Sequence, residues 1–161
     1  MLKKLIALSP LLVIGALAYL SFSPRNPVNG QAPLKPDTGF WTVLSVADGD
    51  SLKVKTASGE IKKIRLACVD APELKQEMGA ESKANLERLV SKANNKVIGY
   101  AVDTDRYGRT VAEIFVYKGD SDTFINQEQV ATGNAYLYKQ YLNKCHNIGA
   151  LEKAEDIARA G

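Results

Sequence analysis

Apolar and polar positions alternate in short runs through the middle of the chain. Residues 41–46 (Trp-Thr-Val-Leu-Ser-Val) are rich in strand formers and run into Asp48-Gly49-Asp50, a turn sequence. Residues 51–56 put Leu52 and Val54 on one face and Lys53 and Lys55 on the other, the period-two pattern of a half-buried strand. Ala57-Ser58-Gly59-Glu60 then has the composition of a hairpin turn. Residues 61–69 predict a third strand, with Ile64, Leu66 and Cys68 alternating against Arg65 and Ala67. Asp70-Ala71-Pro72-Glu73 must end it, because proline cannot donate to a central ladder. Residues 78–93 change to helical spacing, with Leu86, Leu89 and Val90 on one face. Residues 96–102 and 110–117 predict a fourth and a fifth strand, followed by a turn at Lys118-Gly119-Asp120. A short helix over 124–132 is stopped by Gly133, and a last helix over 151–160 repeats Leu151, Ala154, Ile157 and Ala158. Gln129 falls inside the short helix where an apolar residue is expected, and the pattern offers no reason for it.

Five strands with a helix between the third and fourth are the element order of an α+β fold: an OB-fold-like five-stranded β-barrel carrying about three helices. The start of the chain reads differently. Residues 5–22 carry no charge and follow Lys3 and Lys4, so residues 1–22 are expected to be a signal peptide or a membrane anchor. Ala16-Leu17-Ala18 offers a cleavage site, while the apolar run to Phe22 is about long enough to span a bilayer. Residues 23–38 form a Pro-rich linker, and residues 39–161 the folded domain. With either fate of residues 1–22 the domain is exported, secreted or anchored to the outer face of the cytoplasmic membrane. Contact with the membrane would come only through that N-terminal segment, and nothing demands more than a monomer.

Charge adds a restriction. The formal net charge is +3 over 161 residues, but Lys3, Lys4 and Arg25 account for all of it. The domain is formally neutral, so attraction for a polyanion must come from how charge is arranged. Two cysteines, Cys68 and Cys145, and a single histidine, His146, leave no zinc-site spacing. In an exported chain an even cysteine count permits a disulfide, with two free thiols as the alternative.

The candidate chemistry lies in two clusters. One runs Asp48-Gly49-Asp50-Ser51, then Arg65, then Asp70-Ala71-Pro72-Glu73; the other is Asp105-Arg106-Tyr107-Gly108-Arg109. Both fall at turns and strand ends, where functional groups tend to sit. Cleaving a phosphodiester builds negative charge on the oxygens of a pentacoordinate phosphorus. Carboxylates and backbone carbonyls are hard ligands that suit a cation such as calcium, and arginine grips two phosphate oxygens at once. A carboxylate not bound to metal can position or deprotonate water. Each cluster alone also reads as ordinary turn sequence.

Taken in order, the segments Ala47-Asp48-Gly49-Asp50-Ser51, Arg65-Leu66-Ala67-Cys68-Val69-Asp70-Ala71-Pro72-Glu73 and Asp105-Arg106-Tyr107-Gly108-Arg109, with Phe124-Ile125-Asn126-Gln127 and Gly133, resemble the staphylococcal nuclease (thermonuclease) family over roughly residues 41–139. The resemblance implies a calcium-dependent endonuclease that hydrolyses DNA and RNA with little sequence specificity and leaves 3′-phosphates, with Ca2+ as its cofactor. It implies Asp50, Asp70 and the backbone carbonyl of Ala71 as metal ligands, where the family often has Thr in place of Ala71. Glu73 would orient or activate the attacking water. Arg65 would bind the phosphate and its developing charge, and Arg109 would do so from the other side. Asp48 would be an acid beside the metal, supporting its ligands. Arg106 and Tyr107 would contact substrate next to the scissile phosphate. Tyr136, Tyr138 and Tyr141 are candidates to stack on bases or touch a phosphate.

Two further departures from the family stand out, and the cysteines carry a separate expectation. Residues 74–78 are shorter than the corresponding loop of the best-known member. Family members usually continue past the last helix, so an end at Gly161 is expected to lower stability. A Cys68–Cys145 bridge would tie the strand before Asp70 to the C-terminal segment and contribute about 2–4 kcal/mol. The alternative function is a non-catalytic OB-type nucleic-acid-binding module, a role known among relatives that have lost acids. Asp50, Asp70, Glu73, Arg65 and Arg109 are all present here, which favours the enzyme. A membrane-tethered interaction domain that binds no nucleic acid is the third reading.

Overall fold

The structure, a computed structural model, describes residues 39–118 and 121–161. The apolar segment 1–22, the linker 23–38 and the turn at Gly119-Asp120 lie outside the described residues. Strands β1 (Gly39–Val46), β2 (Ser51–Thr56) and β3 (Ile61–Leu66) form an antiparallel meander. β1 also pairs with β5 (Lys96–Thr104), which pairs with β6 (Thr110–Lys118). β6 returns parallel to β3, with Ile64 opposite Thr110 and Leu66 opposite Ala112, and that pairing closes a five-stranded barrel. A short strand β7 (Ser121–Phe124) extends β6 as a hairpin.

The alternation read from the sequence decides which side chains fill this barrel. Leu52 and Val54 are buried while Lys53 and Lys55 are exposed. Ile64, Leu66, Val97, Ala112 and Ile114 join them in the core. Helix α1 (Gly79–Ser91) buries Leu86, Leu89 and Val90, the three residues of its predicted apolar face. Helix α2 (Ile125–Ala131) buries Ile125 and Val130, and α3 (Ile148–Ala160) packs beside it through Leu151 and Ala154. Ile157, which shares the helical spacing of that face, is exposed. α2 has seven residues and α3 thirteen, so the last turn of α3 runs beyond its neighbour.

The expected third strand is not continuous. β3 ends at Leu66, the chain turns at Ala67 and Cys68, and Val69–Asp70 begins a separate strand β4. β4 pairs with a short strand β8 (Tyr136–Leu137). Cys68 has φ 59°, a left-handed conformation that costs a residue with a β-carbon roughly 1–3 kcal/mol. The turn is held in place by its surroundings. Ala67 N–H donates to the Ala112 carbonyl at 2.8 Å, and the buried Asn126 amide donates to the Ala67 carbonyl at 2.9 Å. Four consecutive apolar residues, Leu66 to Val69, are the local sign that alternation fails here.

Candidate active site

The turn between β1 and β2 carries Asp48, Gly49 and Asp50. Asp48 Oδ1 accepts from the Asp50 N–H at 3.1 Å and fixes the turn. Gly49 is needed because a β-carbon there would stand 2.8 Å from the Ala71 Cβ and closer still to Ser82. Asp50 is 5% exposed and its carboxylate is fully engaged. Its Oδ2 accepts from the Ala71 N–H at 2.7 Å, and its Oδ1 accepts from the Ser51 hydroxyl at 3.0 Å. The Arg65 guanidinium, on β3, pairs with Asp50 and also donates to Asp70 Oδ1 at 2.7 Å. The structure thus brings Asp50, Arg65, Asp70 and Ala71 together, and Arg65 bridges the two acids as their shared cation.

Gln129 accounts for itself here. It is completely buried, and its Nε2 donates to the Gly49 carbonyl at 2.5 Å and to the Ser82 carbonyl at 3.2 Å. Its Oε1 accepts from Asn85 Nδ2 at 2.5 Å. An amide in the short helix therefore pins the Asp48-Gly49-Asp50 turn to α1 and α2. Asn126, one helical turn earlier, does the same for the Ala67 turn, accepting the Ile114 N–H at 3.0 Å. Their sequence signal was a polar residue on an apolar helix face; their partners, distant in the chain, left none.

Residues 105–109 form the loop between β5 and β6. Asp105 Oδ1 accepts from the Tyr107 and Arg109 N–H groups, each at 2.9 Å, and Oδ2 accepts from Arg109 Nε at 2.7 Å. Gly108 has φ 77°, which closes this loop without strain. Partial burial works against the charged Asp105, but the Arg109 and Tyr107 hydrogen bonds outweigh it and hold its carboxyl below the usual range. Arg109 also reaches the turn between β1 and β2, donating to the Ser51 hydroxyl at 3.2 Å. Arg106 donates to the Tyr107 hydroxyl at 2.7 Å, and its guanidinium lies 4.8 Å from the ring centroid.

These groups open onto a cavity of about 610 Å³, into which Arg65, Asp70, Arg106, Tyr107, Arg109 and Tyr138 project. Asp103, Gln140, Tyr141 and Lys144 line it too; of these, only Tyr141 had a sequence signal. Glu73 stands apart from the cavity wall. It is exposed, on the segment between β4 and α1, with its N–H donating to Gln76 Oε1 at 2.7 Å. Tyr136 is 75% exposed and does not line the cavity, although its backbone pairs with Asp70. Cys68 and Cys145 are joined, with an S–S distance of 1.95 Å and a Cα–Cα distance of 6.5 Å.

The donor set is hard. Two carboxylates and the neighbouring Ala71 carbonyl are oxygen ligands, and Asp50 and Asp70 already converge on one cation. That chemistry fits a divalent cation of the calcium or magnesium kind. Among the described residues no three His, Cys, Asp or Glu side chains group as a complete metal cage. The remaining ligands would be carbonyl and water oxygens. Arg65 and Arg109 line the same cavity, and a guanidinium can grip two phosphate oxygens at once.

The profile of the family described as Staphylococcal nuclease homologue matches residues 63–161, from β3 to the last helix. The chain belongs to the staphylococcal nuclease family. Among its relatives is a Haemophilus influenzae protein named as an uncharacterized endonuclease, 37% identical over 113 residues, which cover 70% of this chain and 60% of that protein. An uncharacterized endonuclease of Escherichia coli O157:H7 is 35% identical over 99 residues, covering 62% and 61%. A micrococcal nuclease of Shigella flexneri is 34% identical over 104 residues, covering 62% and 58%. The chain thus spans about three-fifths of the length of these curated relatives. As a member of the family it has the closed barrel and accompanying helices that the alternation pattern predicts.

Proposed function

We propose that this protein is a calcium-dependent endonuclease that hydrolyses phosphodiester bonds of DNA and RNA with little sequence specificity, leaving 3′-phosphates. The observation that carries this reading is the pairing of Arg65 with the Asp50 and Asp70 carboxylates, with Arg109 donating to the neighbouring Ser51 hydroxyl and lining the same cavity as Arg65 and Asp70. The nuclease names of its relatives support it. Asp50, Asp70 and the Ala71 carbonyl would hold Ca2+. When bound, the cation polarises the phosphoryl group and offsets its charge.

With a cation on the two acids, Arg65 has its N–H groups free for the phosphate oxygens. Arg109, oriented by Asp105, grips the phosphate from the opposite side and stabilises charge on the leaving oxygen. Glu73, exposed and free of the Arg65 network, holds a water in line with phosphorus and takes its proton. Phosphate contacts carry no base information, so little sequence preference is expected. Tyrosines on the cavity wall favour unpaired strands, because only unpaired bases can stack on them. The uncharged segment after Lys3 and Lys4 supports placing this activity outside the cytoplasm, secreted or held at the outer face of the cytoplasmic membrane.

The test is cleavage of denatured DNA by the full chain with Ca2+, with EGTA, and by Glu73→Gln. Calcium-dependent cleavage that falls about 10²–10³-fold in the variant supports the reading. Calcium-loaded, folded protein that binds DNA without cutting it would favour the non-catalytic binding module.

A further inference from the structure

Part of the cavity wall comes from the 3-10 segment Lys139–Lys144. Its attachment is unusual: both ends are fastened to one residue. At the entry, the Tyr138 N–H donates to the Cys68 carbonyl at 2.9 Å. At the exit, Cys145 is bonded to the Cys68 sulfur. Between these points the turn presents Gln140, Tyr141 and Lys144 to the cavity. Tyr141 is 40% exposed, with Tyr138 edge-on to its ring at 4.8 Å between centroids. Lys144 Nζ lies 5.5 Å from the Tyr141 ring centroid and pairs with Asp103 of β5.

This arrangement contributes little to the core: Tyr141 and Lys144 are both half in solvent on a concave surface. It does offer the two features that bind a single strand, a ring face for a base and a cation for the next phosphate. Building on the nuclease reading above, we infer that the turn Lys139–Lys144 is a stapled subsite for the unpaired strand beside the cleaved bond, with Tyr141 carrying a base and Lys144 the adjacent phosphate. In the free protein Asp103 neutralises Lys144. An exposed ion pair of this kind is weak, so an incoming phosphate displaces the carboxylate at little cost. Asp103 therefore competes with substrate, and Lys144 and Asp103 should have opposite effects on binding. A simple structural latch between the two would give them the same effect.

The experiment uses the full chain with its disulfide intact, oligothymidylate as a strand that crosses the cavity, and thymidylyl-thymidine as one that does not. Binding is read by anisotropy and cleavage by KM and kcat. Tyr141→Ala and Lys144→Ala are expected to raise KM for oligothymidylate roughly five- to hundredfold, and Lys144→Ala to leave kcat and dinucleotide turnover unchanged. Lys144→Ala also lowers the salt slope of binding by about one, and Asp103→Asn tightens binding. Equal losses in Asp103→Asn and Lys144→Ala for both substrates, with equal drops in Tm, would overturn the subsite in favour of a latch. Normal cleavage with unchanged KM in both variants would overturn it while leaving the nuclease reading intact. Oligothymidylate that binds, is never cut, and is released by Tyr141→Ala would keep the subsite and remove the enzyme.

Discussion

The two walls of the cavity are built by different means. The wall of acids and arginines stands at the barrel end, with Asp50 buried and Asp70 exposed, and its charges are paired: Asp50 accepts from a backbone N–H, a hydroxyl and a guanidinium, and Asp105 takes two N–H groups and Arg109. Buried amides of Gln129 and Asn126 fix the turns beneath. The facing wall, Lys139–Lys144, is tied to Cys68 by one hydrogen bond and one covalent bond, by the Lys139–Glu155 and Lys144–Asp103 ion pairs and by half-buried Leu142, and its other side chains are exposed. On the proposed reading, groups that meet a developing charge are set in advance, whereas groups that only grip the strand are held less firmly. The difference matches their proposed tasks, since misplacing a charge stabiliser costs rate and a loose stacking platform costs only affinity.

The largest expected effect lies in the wall of acids and arginines. Arg65→Ala should lower kcat about 10²–10³-fold in the DNA cleavage assay. It should also destabilise the protein, because Asp50 would be left as a buried carboxylate without its cation. Calcium should restore more Tm to this variant than to the parent, since it supplies the missing charge. Equal calcium shifts in the two proteins would break the assignment of Asp50 and Asp70 as metal ligands.

The next effect tests the facing wall. Opening the Cys68–Cys145 bridge, by reduction or by paired Cys→Ser substitution, should cost about 2–4 kcal/mol in urea unfolding. At temperatures where the fold persists, KM for oligothymidylate should rise while kcat holds. A parallel fall in kcat would mean that the two walls are not mechanically separate, with the Ala67-Cys68 turn transmitting the loss to Asp70.

Third in size is the fastening beneath the acids. Gln129→Leu keeps the volume roughly constant but removes the side-chain donor to the Gly49 and Ser82 carbonyls and one of the two acceptors of the Asn85 amide. About 1–3 kcal/mol of stability should be lost, measured by urea unfolding. Loss of kcat out of proportion to stability would show that the Gly49 turn must be held for Asp50 to act.

The same division marks what the sequence made legible. Period-two alternation in Leu52 and Val54 and helical spacing in Leu86, Leu89 and Val90 are local signals, and both elements formed on the expected faces. The acid and arginine clusters were visible because turn chemistry places them at strand ends. Gln129 was visible only as a misfit: its partner Gly49 is remote in sequence, and no periodicity encodes that contact. The break at Ala67 and Cys68 left only the apolar run Leu66 to Val69 as a local sign, because the contacts that hold it, from Asn126 and the bridge to Cys145, are remote in sequence. Lys144 was missed because a lone lysine in a polar 3-10 turn has no pattern; only the folded cavity gives it a neighbour in Tyr141.

The smallest effect concerns acid. The Asp105 carboxyl is held below its ordinary value of 3.8, chiefly by hydrogen bonds from Arg109 and Tyr107 that outweigh its partial burial. A carboxyl depressed in the folded state contributes stability that is fully present above the unfolded pKa. The contribution shrinks as pH falls below that value and is gone once pH has passed the folded pKa. The stability difference between the parent and Asp105→Asn should therefore be constant near neutrality and narrow below about pH 4. Urea unfolding of the pair across that range checks it, with the Asp105 carboxyl followed by NMR. Asn can still accept the two backbone N–H groups, so the variant mainly releases Arg109 Nε. If the wall of acids and arginines owes its rigidity to that ion pair, kcat should fall in Asp105→Asn at neutral pH with KM nearly unchanged. If kcat holds, the backbone of the 105–109 loop alone positions Arg109, and the contrast between the two walls rests on buried amides rather than on charge.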